Sequence, residues 1–315
     1  MSTIFITGAS GYIGTVLTTL ALAQGHTVTA LSRSTTSDAK LSSLGAIPVR
    51  GDITTLDVLT REAAKANITI NIADAIAGNF NISDTDRKET NNAALLALAQ
   101  GIQGTTKKLV LTSGTLHAGA HPNGAETNED SPAWPDAPFG AGLESLYPDL
   151  KARGLNVNVV RLGPWVYGRG GSGVKLFMSG AAQTGVLGYV GDGAKRTTTI
   201  HVDDAARLYL LVATKAPGGE IYNATSETNI TFKQLAEAMG KVLGVKVESV
   251  EYEDMAGKAG PFLAKFLSLE NRGSAEKARR ELGWKVEAEK GILDEIETGS
   301  YVQLAEELKA GMAKA

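Results

Sequence analysis

The sequence contains no cysteine, so disulfides, thiolate metal ligands and cysteine nucleophiles are excluded by inventory. It also lacks a dominant charge: 31 Lys and Arg stand against 34 Asp and Glu, a formal net charge of −3. That balance gives no electrostatic reason to expect nucleic acid or an anionic membrane surface as a partner. Long apolar runs are missing too. No segment approaches the roughly 18 to 20 apolar residues that a membrane span requires. The opening MSTIFITGAS has no basic stretch followed by a long apolar run. The expectation is a soluble cytoplasmic protein, monomer or homodimer, that acts on a small molecule and binds neither nucleic acid nor membrane.

What is present is an ordinary globular composition. The chain has 315 residues, 43% of them hydrophobic and 21% charged. That is long enough for one large α/β domain with a smaller elaboration. From the first residue to about Arg161, short β-branched runs alternate with amphipathic helical stretches, the pattern of a parallel sheet covered on both faces. Strands are expected at Ile4 to Thr7, His26 to Ser32, Ile47 to Arg50, Thr69 to Ala73, Lys108 to Thr112 and Asn156 to Arg161. Helices are expected at Ile13 to Gln24 and Asn91 to Gln100. A Gly-rich stretch from Gly163 to Gly173 follows, then a short helix and an amphipathic helix over Val202 to Thr214. Beyond it come a strand at Glu220 to Ala224, a helix at Thr231 to Leu243 with Thr231 near its N-cap, and a strand at Val245 to Tyr252. The fold class is therefore α/β, a Rossmann-type doubly wound parallel sheet with a smaller C-terminal substrate-binding region. Residues 1–163, joined by part of 196–225, form the nucleotide-binding unit, and residues 164–315 the interleaved substrate region.

Between the first strand and the first helix lies Thr7-Gly8-Ala9-Ser10-Gly11-Tyr12-Ile13-Gly14. Glycines there permit a tight turn and let a pyrophosphate approach the helix N-terminus, so this position marks a nicotinamide dinucleotide site. The end of the second strand chooses the cofactor: an acidic residue bonds the ribose 2′-hydroxyl of NAD, whereas the 2′-phosphate of NADP calls for a cation. The sequence there is Ser32-Arg33-Ser34, with no acid, and the Arg33 fork suits a phosphate. NADP is expected rather than NAD.

The glycine spacing resembles that of the short-chain dehydrogenase/reductase superfamily, extended type, similar to NAD-dependent epimerases and dehydratases. Gly51-Asp52-Ile53 resembles the family's adenine-contacting turn, Leu111 to Gly114 its fifth strand, and Arg161 to Gly168 its sixth-strand signature. His201 to Ala206 resembles a late helix start, and Glu281-Leu282-Gly283-Trp284 a C-terminal turn, so the likeness spans nearly the whole chain. The resemblance implies cofactor contacts at Thr7, Gly8, Ser10, Gly11, Tyr12, Ile13, Gly14, Arg33, Asp52, Ile53, Ala73 and Thr112.

The resemblance also implies a tyrosine and lysine in a YxxxK helix and a hydroxyl on the fifth strand. Here the sequence departs. Aligning Pro138-Phe139-Gly140 with the family's proline-tyrosine-glycine places Phe139 and Leu143 at the tyrosine and lysine positions. The hydroxyl position falls on Gly114, between Ser113 and Thr115. The literal string Tyr147 to Lys151 lies only about ten residues before Arg161, too close for a helix to pass the site and turn into the next strand. This pattern is similar to an atypical subgroup that keeps the glycine turn and loses the tyrosine. Ser113, Thr115 and His117 are the candidate catalytic residues, with Tyr167 and His201 as other proton carriers. Asp203 and Asp204 suit an N-cap and a helix dipole better than a metal, and no metal is expected. Trp134, Phe139 and Trp165 are a candidate apolar lining. Tyr301 to Lys309 is apolar at helical spacing, either closing its own core or docking a partner. The expected activity is NADP(H)-dependent oxidoreduction of a small organic carbonyl, enone or alcohol. The alternatives are a cofactor-binding regulator without turnover and an isomerase or cyclase on the same fold.

Overall fold

The computed structural model describes residues 1–77, 82–134 and 143–312. Seven parallel strands form the central sheet. In chain order they are β1 (Thr3–Thr7), β2 (Thr27–Ser32), β3 (Ile47–Arg50), β4 (Ile68–Asn71), β5 (Lys108–Gly114), β6 (Asn156–Leu162) and, after three others, β10 (Ile221–Ala224). Their order across the sheet is β10-β6-β5-β4-β1-β2-β3. The chain builds outward from β1 in one direction through β2 and β3, then crosses back to build the other half from β4. The reversal leaves a crevice between β1 and β4 at the C-terminal edge, where doubly wound sheets bind ligands.

Alternation along each strand sorts side chains between two apolar layers. Ile4 and Ile6 join one core cluster and Phe5 the other; on β5, Val110 goes one way while Leu109 and Leu111 go the other. The first layer is closed by α1 (Tyr12–Ala23) and α7 (Val202–Lys215), and the second by α3 (Leu56–Lys65) and α4 (Asp84–Ile102). Between β2 and β3 runs α2 (Thr35–Leu44), capped by the Ser34 hydroxyl accepting from the Ser37 amide and closed by Gly45 in the left-handed region.

The remaining strands make two small sheets. In one, β11 (Glu227–Thr231), β9 (Arg196–His201) and β7 (Trp165–Tyr167) lie side by side; in the other, β12 (Lys246–Val250) pairs with β8 (Val186–Val190). Around them pack α6 (Ser172–Thr184), α8 (Phe232–Leu243), three shorter helices and the helix Tyr301–Met312, while the short helix Glu276–Leu282 packs on the central sheet's core beside α7. The N-cap of α8 is Thr231, as its sequence suggests, in a full capping box with Gln234.

Several expectations shift. The helix expected from Asn91 begins seven residues earlier, at Asp84 behind the Ser83 cap. Its first two turns are polar and exposed, so no apolar period announces them. The expected strand over Thr69 to Ala73 stops at Asn71, because β1 ends at Thr7 and Gly8 turns away. The Gly-rich stretch conceals β7. There Trp165 is buried against Phe177 and Phe266, with ring centroids 5.0 and 6.0 Å away, in the apolar core of the C-terminal region.

The N-cap of α7 is His201, whose Nδ1 accepts from the Asp203 amide at 3.2 Å, not an aspartate. Asp203 pairs with Arg169, while the fully buried Asp204 accepts from the Glu287 and Ala288 amides at 2.8 and 3.2 Å and from Arg207. Asp204 thus ties the C-terminal turn to α7, and Trp284 adds a bond from its indole to the Asp204 carbonyl at 3.1 Å. Replacing Asp204 by Ala removes the acceptor of two backbone amides and the buried one of the two carboxylates that Arg207 meets. The expected loss in urea unfolding is about 3 kcal/mol or more; a loss under about 1 kcal/mol would show this knot to be dispensable. Tyr301 is fully buried, accepts from the Gly168 amide and donates to the Gly171 carbonyl, both at 2.8 Å, so the last helix closes the molecule's own core. Among the described residues no helix is long and apolar enough to cross a membrane.

Candidate active site

The turn from Gly8 to Gly14 brings β1 into α1 at the crevice. Gly8 sits at φ +76°, and a Cβ on it would lie 2.9 Å from the Ala73 amide nitrogen. A Cβ on Gly14 would lie 2.0 Å from the Gly8 carbonyl oxygen. Only glycines allow the backbone to fold this tightly, and the result aims the first-turn amides of α1 outward with no intrahelical acceptors. The helix has no side-chain cap and no acid in its first turn. Unpaired amides at the positive end of a helix dipole, with nothing negative beside them, fit a diphosphate.

The side chains around this turn have other duties. The Thr7 hydroxyl donates to Asn71 Oδ1 at 2.5 Å and accepts from the Ala73 amide at 3.3 Å, lashing β1 to the end of β4. Thr112 donates to the Asn71 carbonyl and bonds the Tyr209 hydroxyl, each at 2.7 Å. Tyr12 donates to the Gly168 carbonyl at 2.6 Å and covers Gly171; burial pushes its phenol well above the ordinary range. Its ring therefore couples the turn to the β7–α6 loop.

Arg33 is exposed at the end of β2, where it donates to the Ala77 carbonyl at 3.1 Å. A cation that the sequence did not single out, Lys40 of α2, donates to the Ser10 carbonyl at 2.8 Å, directly over the turn. Asp52, just after β3, accepts from the Thr54 amide and hydroxyl and the Thr55 hydroxyl through Oδ1 alone. The Thr54 hydroxyl bond leads the effects that hold its carboxyl below the usual range.

A second group of side chains gathers beyond the end of β5. Ser113 pairs in register with Arg161 of β6, so the two share a face of the sheet. Arg161 is buried; its Nε donates to Glu144 Oε1 at 2.7 Å and its terminal nitrogen to the Glu129 carbonyl at 3.1 Å. The other oxygen of Glu144 faces His117 Nδ1 at 2.8 Å and accepts from the Ser113 hydroxyl at 3.2 Å. Burial pushes the Glu144 carboxyl up, but the bonds from His117 and Arg161 together outweigh it and hold the group below its ordinary value. Ser113 and His117 thus meet on one carboxylate.

Thr115 does not join them. It is 2% exposed and its hydroxyl donates to Asn271 Oδ1 at 2.8 Å, away from the cluster. Tyr167 donates to the Lys290 carbonyl at 2.9 Å and packs edge-on to His201, which is itself a cap. Phe139 lies outside the described residues, as does the side chain of Leu143. Tyr147 opens α5 (Tyr147–Ala152), a six-residue helix with Pro148 in its first turn, where proline is tolerated. Lys151 donates to the Gly219 carbonyl at 2.7 Å, beside the start of β6. Ser113 lies at the other end of the neighbouring strand, roughly 15–20 Å along it, so Lys151 cannot serve the same site.

Glu144 and Arg161 were not among the site candidates read from the sequence. Arg161 did carry a signal, as a lone cation that follows the valines at 157, 159 and 160 of a β-branched strand. Glu144 carried none, because its partners are 17 to 31 residues away.

A parallel sheet in this order, with a glycine turn at its reversal point, defines a Rossmann-type dinucleotide-binding protein. The chain belongs to the NAD dependent epimerase/dehydratase family, whose model matches residues 4–225, and it has the extended short-chain dehydrogenase/reductase fold. An uncharacterized protein of Saccharomyces cerevisiae is 31% identical over 93% of this chain and 97% of its own. A 4-hydroxy-2-methyl-3-oxo-4-farnesyl-3,4-dihydroquinoline-1-oxide ketoreductase of Stigmatella aurantiaca is 25% identical over 89% and 91%. Among solved structures, the dTDP-glucose 4,6-dehydratase of Streptomyces venezuelae with NAD bound superimposes with a TM-score of 0.77, at 23% identity over 98% of both chains.

Proposed function

We propose that the protein is an NADP(H)-dependent oxidoreductase, a cytoplasmic monomer or homodimer, acting on a small organic carbonyl, enone or alcohol. The amides of Ser10, Tyr12, Ile13 and Gly14 would hold the diphosphate, with Gly8 and Gly11 shaping the turn through the bond from the Gly11 amide to the Gly8 carbonyl, and Asp52, Ile53 and Ala73 would line the adenosine side. Thr7 and Thr112 act as struts behind them. Arg33 and Lys40 flank the place where a 2′-phosphate would lie, with no carboxylate at the end of β2. That missing acid, with Arg33 in its place, is the observation that carries the cofactor assignment.

A bound nicotinamide supplies or accepts the hydride. The chain's part is to orient the substrate beside β5, with the Ser113 hydroxyl and the His117 ring as its polar contacts, and to move the proton. The ketoreductase relative has a name that fits carbonyl reduction, which supports this chemistry over the regulator reading.

Replacing Arg33 by Asp is expected to weaken NADPH binding at least about tenfold while leaving NADH binding equal or tighter, since one charge-assisted phosphate contact is worth roughly 1.5–3 kcal/mol. Calorimetric titration of both cofactors checks this; unchanged NADPH affinity removes the preference for NADP. The activity itself is tested by following NADPH at 340 nm with a panel of aldehydes, ketones and enones, and no consumption with any of them rejects it.

A further inference from the structure

The cluster beyond β5 holds more than a place for a substrate oxygen. His117 is followed in space by an anion and the anion by a cation: imidazole Nδ1 to Glu144 Oε2 at 2.8 Å, and Glu144 Oε1 to Arg161 Nε at 2.7 Å. The carboxylate and guanidinium side chains are 3% and 4% exposed, whereas the imidazole is 28% exposed. A buried, ionised carboxylate can only accept hydrogen bonds, so the proton between it and the ring must sit on Nδ1. Nε2, on the opposite side of the ring, is then the nitrogen that exchanges protons.

Resting on the oxidoreductase reading, we infer that His117 is the proton donor and acceptor of this enzyme. Glu144, itself locked by Arg161, is the positioning residue that fixes its tautomer. During carbonyl reduction the substrate carbon gains the hydride of the reduced dinucleotide, and the carbonyl π pair moves onto oxygen. The Nε2–H bond of the imidazolium breaks, its electron pair stays on nitrogen, and the proton passes to that oxygen. Alcohol oxidation reverses each movement, with Nε2 taking the hydroxyl proton. Glu144 stabilises the imidazolium without touching substrate, and solvent restores the proton through the exposed edge of the ring. Ser113 donates to the same carboxylate oxygen at 3.2 Å, so its hydroxyl stands beside the ring.

The isosteric change Glu144→Gln separates this role from a merely structural one. Arg161 needs an acceptor, so the amide oxygen stays at the Oε1 position and the NH₂ group faces His117. An NH₂ group must find a lone pair, which forces the neutral ring into the Nε2–H tautomer. Nitrogen NMR of the cofactor-free protein at alkaline pH reads the tautomer directly, and His117 is assigned among the four histidines by its loss in His117→Gln. The wild type is expected to show Nδ1–H and Glu144→Gln to show Nε2–H.

With NADPH and a substrate found at 340 nm, His117→Gln is expected to lower kcat by about 10²- to 10⁴-fold. Glu144→Gln should lower it by up to about 10⁴-fold, as the same exchange behind a catalytic imidazole does in serine hydrolases. NADPH affinity should stay within about threefold in both. A wild-type Nε2–H tautomer, a tautomer unmoved in Glu144→Gln, or undiminished kcat in His117→Gln each overturn the inference while leaving the oxidoreductase reading intact. Failure of the wild type to bind NADPH overturns that reading, and the inference with it.

Discussion

Gly14→Ala is expected to yield a protein that has lost NADPH binding by at least about a hundredfold and unfolds at least about 3 kcal/mol more easily. The added methyl would stand 2.0 Å from the Gly8 carbonyl oxygen and 2.7 Å from the Ala9 Cα, both backbone atoms of the same tight turn. No side chain can swing aside to make room. The turn must open, and opening it spreads the amides that are to converge on the diphosphate. Gly11→Ala provides the contrast, since its Cβ meets only the Gly8 oxygen at 3.1 Å. Its affinity loss should be at least several-fold smaller. Calorimetry with NADPH and urea unfolding of both variants check the pair. If Gly14→Ala binds as tightly as the wild type, the turn does not grip a diphosphate.

Removing the Glu144 side chain altogether has consequences for the fold as well. Glu144→Ala leaves the Arg161 guanidinium buried without its counter-ion, and breaking one side of such a pair costs about 3–5 kcal/mol. The double variant Glu144→Leu, Arg161→Met removes both charges and is expected to recover most of that loss, because buried pairs and apolar replacements of similar volume are often equivalent. The pH dependence follows from the sign of the shift. The folded Glu144 carboxyl titrates below its ordinary value of 4.5, so the stability it contributes is present in full above that value. It is lost as pH falls through the folded value. The gap in urea stability between wild type and Glu144→Ala should therefore narrow as the pH is lowered from 7 through this range. A gap of constant size would mean that the carboxylate is not held by its partners in the native state.

Local pattern and tertiary placement contributed differently to this molecule. The alternation of β-branched runs with amphipathic helices, and the glycines at 8, 11 and 14 between the first strand and helix, were legible because each is a matter of neighbours a few residues apart. Strands β3, β5 and β6 and helices α7 and α8 stand within a residue or two of where their periodicity puts them. The polar start of α4 and the three-residue strand β7 were hidden, one for want of an apolar stripe and the other behind glycines. The list of hydroxyls and histidines near the end of β5 was legible, but not their division of labour. Thr115 turns inward to Asn271, His201 caps α7, and Lys151 lies at the far edge of the sheet.

By itself, then, the sequence determined an α/β chain with a tight glycine turn between its first strand and first helix, because backbone sterics and hydrophobic period act over one or two turns of chain. Only the tertiary structure decided that Ser113, His117 and Arg161 share the Glu144 carboxylate. Hydrogen bonds that join residues 17 and 31 positions apart exist only once parallel strands have set Ser113 and Arg161 side by side.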